Sequence, residues 1–185
     1  MNEVAYFTDS DHAGDAGLTY RSHTGIMTTL NNIPIQWKSQ QQPKTVLSPA
    51  EAETFACSEG LKQANLIRWI ARDLQIKFPS VAVLQVDNDQ VIMRSFVNAT
   101  CAKSRLRTVI SMRWAWVQEL RQSAEDGSCV IKHVKTINNK ADIMTKCLEA
   151  KEFKRQVEQV QGTKLKFERK DEVILMTIGN GLIGG

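Results

Sequence analysis

In the segment YFTDSDHAGD, residues 6–15, three aspartates occur within seven positions, directly after an apolar run. Valine, tyrosine, phenylalanine and threonine over residues 4–8 favour a buried strand, because aromatic and β-branched side chains fit a pleated, half-buried surface. Aspartate is common in the turn after a strand, but neighbouring carboxylates repel one another. The segment is therefore either a solvated turn or the binding site of a cation, and the rest of the chain has to distinguish the two.

Length and composition indicate a globular protein of one domain. The chain has 185 residues, 42% of them hydrophobic, and a formal net charge of +4, which allows a substantial core. No apolar run reaches the roughly 18 residues of a membrane helix, and the first residues lack the pattern of a signal peptide. The four cysteines have no Cys-x-x-Cys spacing, which predicts reduced thiols in an intracellular protein rather than a zinc site.

The order of predicted elements indicates an α/β protein that begins with a hairpin. Strands are predicted at 4–8, 24–30, 33–39, 81–89 and 128–134. Helices are predicted at 49–74, 90–97, 106–124 and 138–160, and the tail from residue 164 holds one further strand. Ser48, Pro49 and Glu51 form a capping-box pattern that fixes the start of the long helix.

Carboxylates recur where these elements end or begin. Asp9 and Asp87 follow the first and fourth strands, Glu51 and Glu53 lie in the first turns of the long helix, and Asp142 lies in the first turns of the last helix. If the two strands are parallel neighbours, their ends meet where open α/β sheets bind ligands. Each carboxylate alone is explained as a turn former or as a complement to a helix dipole. Together they predict a magnesium site, because clustered carboxylates need a cation and magnesium prefers oxygen ligands.

Five blocks of the chain, in order, resemble the ribonuclease H domain at the end of copia-type LTR-retrotransposon polyproteins. DSDHAGD (9–15) resembles the family's D-x-D-W-A-G-D, RSHTG (21–25) resembles K-S-T-S-G, and residues 37–70 resemble its W-K-S to E-A-E block without a gap. VDND (86–89) resembles the D-N-Q block, and NNKADIMTKCL (138–148) resembles L-A-D-I-L-T-K-P-L. The match runs from Phe7 to Leu148 and covers most of the chain.

The resemblance implies a ribonuclease H-like fold, a five-stranded mixed sheet flanked by helices, over residues 1–148. Residues 149–185 are then a C-terminal helix and tail extension of the same domain. The implied activity is hydrolysis of the RNA strand of RNA/DNA hybrids during reverse transcription, by two Mg²⁺ ions for which Mn²⁺ can substitute. The motif positions assign the catalytic and metal-binding carboxylates to Asp9, Glu53, Asp87 and Asp142.

Other acidic residues of these motifs receive structural roles. Asp11 and Asp15 are expected to shape the loop after the first strand, and Glu51 to support the start of the long helix. The chain also departs from the family pattern: His12 replaces a tryptophan, LRTVISMRWA (106–115) retains little of its block, and the loop KTINNK (135–140) contains no histidine. These departures leave open slow turnover or a domesticated copy with altered substrate use.

A hybrid-binding surface requires phosphate contacts and groups that sense the 2′-hydroxyls. Basic residues near the expected site, polar neighbours of the carboxylates and one tryptophan are the candidates for it. They are Ser10, Lys38, Lys44, Asn88, Arg105, Arg107, Arg113 and Trp114. For each basic residue the alternative is a solvated surface position, and for the tryptophan it is core packing.

The resemblance also implies partners and location. The expected partners are the RNA/DNA hybrid and the reverse transcriptase polymerase domain of the same polyprotein, without a membrane or a small-molecule cofactor. The isolated domain is expected to be a monomer, located in the cytoplasm or a virus-like particle, with the nucleus as an alternative. Two competing interpretations are a catalytically silent ribonuclease H-fold module that supports a polymerase or binds nucleic acid, and an integrase-like nuclease of the same superfold.

Overall fold

A computed structural model describes most of the chain. The described residues are 2–14, 19–79, 81–96, 112–113, 115–118, 129–161, 166–170 and 173–177. Five strands form the main sheet: β1 (Val4–Asp11), β2 (His23–Leu30), β3 (Ile33–Gln41), β4 (Ala82–Val86) and β5 (Cys129–His133). Their order in the sheet is β3-β2-β1-β4-β5. The β1–β2 and β2–β3 pairs are antiparallel, whereas β1–β4 and β4–β5 are parallel, which confirms the predicted five-stranded mixed sheet.

Three helices have described bounds: α1 (Pro49–Asp73), α2 (Asp89–Phe96) and α3 (Ala150–Gln161). Residues 112–113 and 115–118 are also helical, inside the helix predicted at 106–124, and the rest of that prediction lies outside the described residues. The start of α1 agrees with its capping pattern, because the Ser48 hydroxyl accepts from the Glu51 amide at 3.3 Å. The Glu51 carboxylate in turn accepts from the Leu47 amide at 2.9 Å. Glu51 therefore supports the helix start, as predicted.

The first strand is buried on both faces of the sheet. Alternate residues of a strand point in opposite directions, and in β1 each set packs in its own apolar cluster. Tyr6 packs with residues of α1, β4 and β5 in one apolar cluster, whereas Phe7 packs in a second cluster with Met27 and Val160. Gly60 allows α1 to approach β1 closely, since a Cβ at this position would lie 2.2 Å from Cγ2 of Thr8. This contact holds the helix that carries Glu53 directly on the strand that carries Asp9.

The structure corrects the predicted bounds of the first strand. β1 continues past residue 8 to Asp11, because β2 pairs with it along its whole length and Gly25 lies opposite Asp9. Asp9 is therefore a strand residue and not the first residue of a loop. The loop is shaped by Asp11, as predicted, since its carboxylate accepts from the amides of Gly14 and His23 at 3.3 and 3.1 Å. Asp15 lies outside the described residues.

The helix predicted at 138–160 is also wrong in its first half. Two 3-10 turns, Thr136–Asn138 and Asp142–Met144, precede α3. The Ser39 hydroxyl donates to the Met144 carbonyl at 2.6 Å and so holds the second turn against β3. Asp142 therefore lies in a short turn that packs on β3, separate from the last helix.

The C-terminal part contains one helix and two strands. The strands β6 (Lys166–Lys170) and β7 (Val173–Thr177) form a separate antiparallel pair, where one strand was predicted. In α3, Val157 and Val160 are buried, and Nη1 of Arg155 donates to the Ile137 carbonyl at 2.9 Å. The assignment of residues 149–185 to the same domain stays a prediction. In the described part of the chain, none of the helices has the length and apolar character needed to cross a membrane.

Candidate active site

Three of the four predicted carboxylates meet at one end of the sheet. The parallel register pairs Phe7 with Gln85, so that Asp9 and Asp87, each two residues further on, lie at the same edge. Glu53, in the first turns of α1, reaches this edge from one face. Oxygen atoms of Asp9, Glu53 and Asp87 all lie within 4.8 Å of one another. The topology therefore produces a compact group of oxygen ligands, here called the carboxylate cluster.

Burial makes the negative charges of this cluster costly. Asp9 is 1% exposed and Glu53 is 6% exposed. Burial, followed by the charges of Asp9 and Asp87, raises the pKa of Glu53 to about 8. Burial also raises the pKa of Asp9, against the opposing effect of the Lys146 ammonium. The cluster thus requires either protons or cations.

Asp142 is joined to the cluster through Lys146. Nζ of Lys146 lies 3.1 Å from Oδ1 of Asp142 and 3.4 Å from Oδ2 of Asp9. Burial, and next the charge of Asp9, raises the pKa of Asp142 to about 7. The fourth predicted carboxylate is therefore beside the cluster, but a lysine lies between it and Asp9.

A turn packed closely on the sheet places Asp142 and Lys146. Thr145, within this turn, donates from its hydroxyl to Oδ2 of Asp9. Gly25 makes room for the turn, since a Cβ there would lie 2.7 Å from the Ala141 carbonyl oxygen and 2.7 Å from Cγ2 of Thr145. The residue of β2 opposite Asp9 therefore has to be a glycine, because a side chain there would clash with the turn.

The donor set fits a divalent cation. Carboxylate oxygens are the ligands that Mg²⁺ and Mn²⁺ favour. Oε2 of Glu53 is buried and has no hydrogen-bond partner among the described residues, whereas buried polar atoms are normally paired. Its other oxygen accepts only a long bond, 3.4 Å, from the Ser10 amide. Asp9, Glu53 and Asp87 are therefore the residues that would hold such an ion.

An open cleft of about 520 Å³ lies over the cluster. Ser10 and Asn88, both predicted nucleic-acid contacts, line it, whereas Lys38 and Lys44 are not among its lining residues. The side-chain oxygen of Asn88 accepts from the Gln90 amide at 2.9 Å, so that it also caps α2. The cleft is large enough to admit a backbone phosphate to the carboxylates.

The remaining predicted contacts lie elsewhere. The Arg113 guanidinium is 2.7 Å from Oε1 of Glu59, 2.8 Å from Oγ of Ser58 and 3.9 Å from the centre of the Phe55 ring. Arg113 is thus anchored on α1, and its role in nucleic-acid binding stays a prediction. Arg105, Arg107 and Trp114 lie outside the described residues.

Two residues of the site had no predicted role. Lys146 and Thr145 both contact Asp9. A signal for Lys146 was present, because a lysine four residues after an aspartate can reach it on a turn of helical backbone. No such spacing connects Thr145 with Asp9, which is 136 residues away in sequence.

Comparison with solved structures identifies the fold as that of ribonuclease H. LC11-RNase H1, isolated from compost, matches with a TM-score of 0.55 at 14% identity, covering 78% of this chain and 94% of that one. The N-terminal RNase H domain of a Mycobacterium tuberculosis protein matches with a TM-score of 0.50 at 14% identity, covering 84% and 96%. The fold of this chain is therefore ribonuclease H-like.

Sequence comparison places the homologues of the chain among copia-type Pol polyproteins. The Pol polyprotein of transposon TNT 1-94 from Nicotiana tabacum is 28% identical over 147 residues, which is 80% of this chain and 10% of that protein. The truncated transposon Ty1-A Gag-Pol polyprotein of Saccharomyces cerevisiae is 29% identical over 154 residues, which is 83% of this chain and 12% of that protein. The chain thus spans about a tenth of the length of these relatives. No protein-family model matches it.

Proposed function

We propose that this domain is a metal-dependent endonuclease that hydrolyses the RNA strand of RNA/DNA hybrids during retrotransposon reverse transcription. The observation that carries the proposal is the carboxylate cluster, three carboxylates within 4.8 Å on a ribonuclease H fold. Pol-polyprotein homology over 80% of the chain supports the retrotransposon context. A related fold, LC11-RNase H1, has been solved in complex with an RNA/DNA hybrid, which supports the choice of substrate.

Asp9, Glu53, Asp87 and Asp142 are the proposed ligands of two Mg²⁺ ions, with Mn²⁺ as a substitute. Bound divalent ions supply an activated water and stabilise the leaving oxygen of the phosphodiester. The contribution of the chain is to hold the carboxylates in place: β1 and β4 fix the two strand-end aspartates, and α1 fixes Glu53. Burial of Asp9 and Glu53 excludes bulk water from them, which strengthens their attraction for a cation.

The cleft residues are proposed to orient the RNA strand. Asn88 keeps a side-chain amide available beside Asp87 while its oxygen caps α2. The buried hydroxyl of Ser10 has no hydrogen-bond partner among the described residues and lies beside Asp9. Both groups can form hydrogen bonds to a sugar hydroxyl or a phosphate at the cleft, and a hydrogen bond to the 2′-hydroxyl distinguishes RNA from DNA.

The wider setting is part of the same proposal. The relatives are polyproteins, so the polymerase region of such a polyprotein is the proposed partner and an intracellular particle the proposed location. We propose that α3 and the tail belong to this domain, since Val157 and Val160 are buried. The isolated domain is proposed to be a monomer without a small-molecule cofactor.

Cleavage of an RNA/DNA hybrid labelled on either strand tests the function. We expect cutting of the RNA strand in Mg²⁺, none in EDTA, and a loss of at least about a hundredfold in Asp87→Asn, because metal affinity or activity falls by 10- to 100-fold even when only an outer-shell partner is removed. Asp73→Asn is the matched control, since Asp73 is exposed at the end of α1. Hybrid binding without cleavage by the unmodified domain would instead identify a catalytically silent module, and cleavage of duplex DNA would indicate an integrase-like nuclease.

A further inference from the structure

A lysine ammonium contacts two of the four carboxylates of the candidate site. Nζ of Lys146 is 3.1 Å from Oδ1 of Asp142, 3.4 Å from Oδ2 of Asp9 and 3.5 Å from Oδ1 of Asp9. Its side chain is 35% exposed, whereas those of Asp9 and Asp142 are 1% and 5% exposed. The ammonium therefore contacts two buried carboxylates at once and is itself open to the cleft.

This position has an electrostatic reason. Two buried carboxylates that face each other need a cation, because an unpaired charge away from water is strongly destabilising. Among the described residues that line the cleft, Lys146 is the only lysine or arginine. Lys146 is held there by its backbone as well, since its amide donates to the Asp142 carbonyl at 3.1 Å.

The same ammonium obstructs a metal ion. A Mg²⁺ ion bound to both Asp9 and Asp142 would need the space between the oxygens that Nζ now contacts, because magnesium binds its oxygen ligands at roughly 2.0–2.1 Å. The three-carboxylate cluster is free of this obstruction on its Glu53 and Asp87 side, where Oε2 of Glu53 has no hydrogen-bond partner among the described residues. The Glu53 and Asp87 side of the site is therefore accessible to a cation, whereas the Asp9–Asp142 pair is blocked by the ammonium.

We propose that Lys146 is a built-in counter-ion that competes with a divalent cation for the Asp9–Asp142 pair. In the free domain the first ion binds at Asp9, Glu53 and Asp87, and an ion between Asp9 and Asp142 enters only when the ammonium leaves. This inference rests on the proposed function for its choice of cation, but its tests measure metal binding and not hydrolysis.

The first test is titration of the metal-free domain with Mn²⁺ alone. Binding is measured by calorimetry and by the electron paramagnetic resonance signal of free Mn²⁺. We expect Lys146→Met to bind Mn²⁺ about tenfold more tightly than the unmodified domain, because a positive charge a few ångströms from the ion is removed. Lys146→Arg keeps the charge and is expected to bind Mn²⁺ as weakly as the unmodified domain. Unchanged or weaker binding by Lys146→Met would overturn the inference.

Lys62→Met is the matched control. Lys62 pairs with Glu59 at 2.8 Å on the outer part of α1, so that the substitution removes the same charge and also breaks an ion pair. Its Mn²⁺ affinity is expected to equal that of the unmodified domain. An equal increase in Mn²⁺ affinity in Lys62→Met and Lys146→Met would mean that net charge alone is responsible, which would contradict the inference.

The second test uses the unmodified domain, so that it does not depend on the folding of any variant. Lysine acylation is followed by mass spectrometry with and without saturating Mg²⁺. We expect labelling of Lys146 to increase in Mg²⁺, because the ammonium is released from its carboxylates, and labelling of Lys62 to stay constant. Constant or reduced labelling of Lys146 would contradict the competition.

Neither test depends on catalysis. A domain that cuts hybrids but shows no change in Mn²⁺ affinity on loss of Lys146 would keep the proposed function and lose this inference. If the domain cleaves no hybrid but the Lys146→Met variant binds Mn²⁺ more tightly than the unmodified domain, the inference stands and the proposed function is contradicted.

Discussion

Asn139 donates from its side-chain amide to the carbonyl of Thr8 at 3.1 Å, across 131 residues of sequence. The side-chain oxygen of Asn139 accepts from the Ala141 amide at 3.2 Å, and Asn139 is 1% exposed. One buried side chain therefore links the strand that carries Asp9 to the turn that carries Asp142. The geometry of the site depends on this link as well as on the carboxylates themselves.

Replacement of Asn139 by alanine is expected to destabilise the domain. The change leaves the Thr8 carbonyl and the Ala141 amide buried without partners, at a cost of roughly 1–3 kcal/mol in the free energy of unfolding. Urea denaturation in EDTA measures the loss, and Asn138→Ala is the control, because Asn138 is exposed. A loss of less than about 0.5 kcal/mol, the usual effect of a surface substitution, would show that this link contributes little.

Gly25→Ala is expected to displace the turn of Asp142. The added methyl group would lie 2.7 Å from the Ala141 carbonyl oxygen and 2.7 Å from Cγ2 of Thr145, and overpacking of this kind costs roughly 1–3 kcal/mol. Because the turn can move more easily than the sheet, we expect a modest loss in the free energy of unfolding and a large loss in the rate of hybrid cleavage. Thermal denaturation and the cleavage rate are measured on the same preparation.

A second substitution tests the stated cause. Thr145→Ser removes Cγ2 but keeps the hydroxyl that donates to Asp9. In the background of Gly25→Ala it should recover part of the lost stability, whereas alone it should be neutral or slightly destabilising. Additive effects of the two changes would mean that they do not interact, and would rule out the clash as the reason.

Much of the fold follows from local patterns. The five strands of the main sheet, the Asn31-Asn32 turn and the start of α1 depend on residues close in sequence, and all of them were predicted, although β1 extends further than expected, to Asp11. Asn31 and Asn32 both have positive φ, 50° and 66°, which suits a tight hairpin of this kind. The meeting of Asp9 and Asp87 could also be predicted, because it requires only that β1 and β4 be parallel neighbours.

The rest of the site depends on contacts between distant segments. The predicted helix over residues 138–160 is interrupted by a turn that packs on the sheet, where the hydroxyl of Ser39, 105 residues earlier in sequence, donates to the Met144 carbonyl. The four-residue spacing connects Lys146 with Asp142, but the contact of Lys146 with Asp9 exists only after the turn packs on the sheet. A helical period in the sequence contains no information on such contacts between distant segments.

Arg113 is expected to stabilise the attachment of its helical segment to α1. Its guanidinium contacts Glu59, Ser58 and the ring of Phe55, and both partners of the ion pair are partly buried. Arg113→Ala should lower the free energy of unfolding by about 1–2 kcal/mol, since a cation over an aromatic ring and a partly buried pair each contribute about 0.5–1 kcal/mol. A double-mutant cycle with Glu59→Gln measures the pair itself, and a coupling energy of zero would contradict it.

The metal-free domain is expected to lose stability as the pH rises towards 8. The pKa of Glu53 is raised from 4.5 to about 8 and that of Asp142 from 3.8 to about 7. A carboxyl whose pKa is higher in the folded state stabilises the fold fully below its unfolded pKa, and this contribution disappears as the pH passes the folded pKa. In EDTA the melting temperature should therefore fall between about pH 5 and pH 8.

Mg²⁺ should reverse this loss, because a bound cation favours the ionised carboxylates over their protonated forms. The difference in melting temperature between Mg²⁺ and EDTA is thus expected to widen from pH 5.5 to pH 8, measured by scanning calorimetry. Glu53→Gln should reduce the pH dependence in EDTA, because it removes the carboxyl whose pKa is raised to about 8. A melting temperature in EDTA that rises over this pH range would show that Glu53 and Asp142 are ionised without a metal.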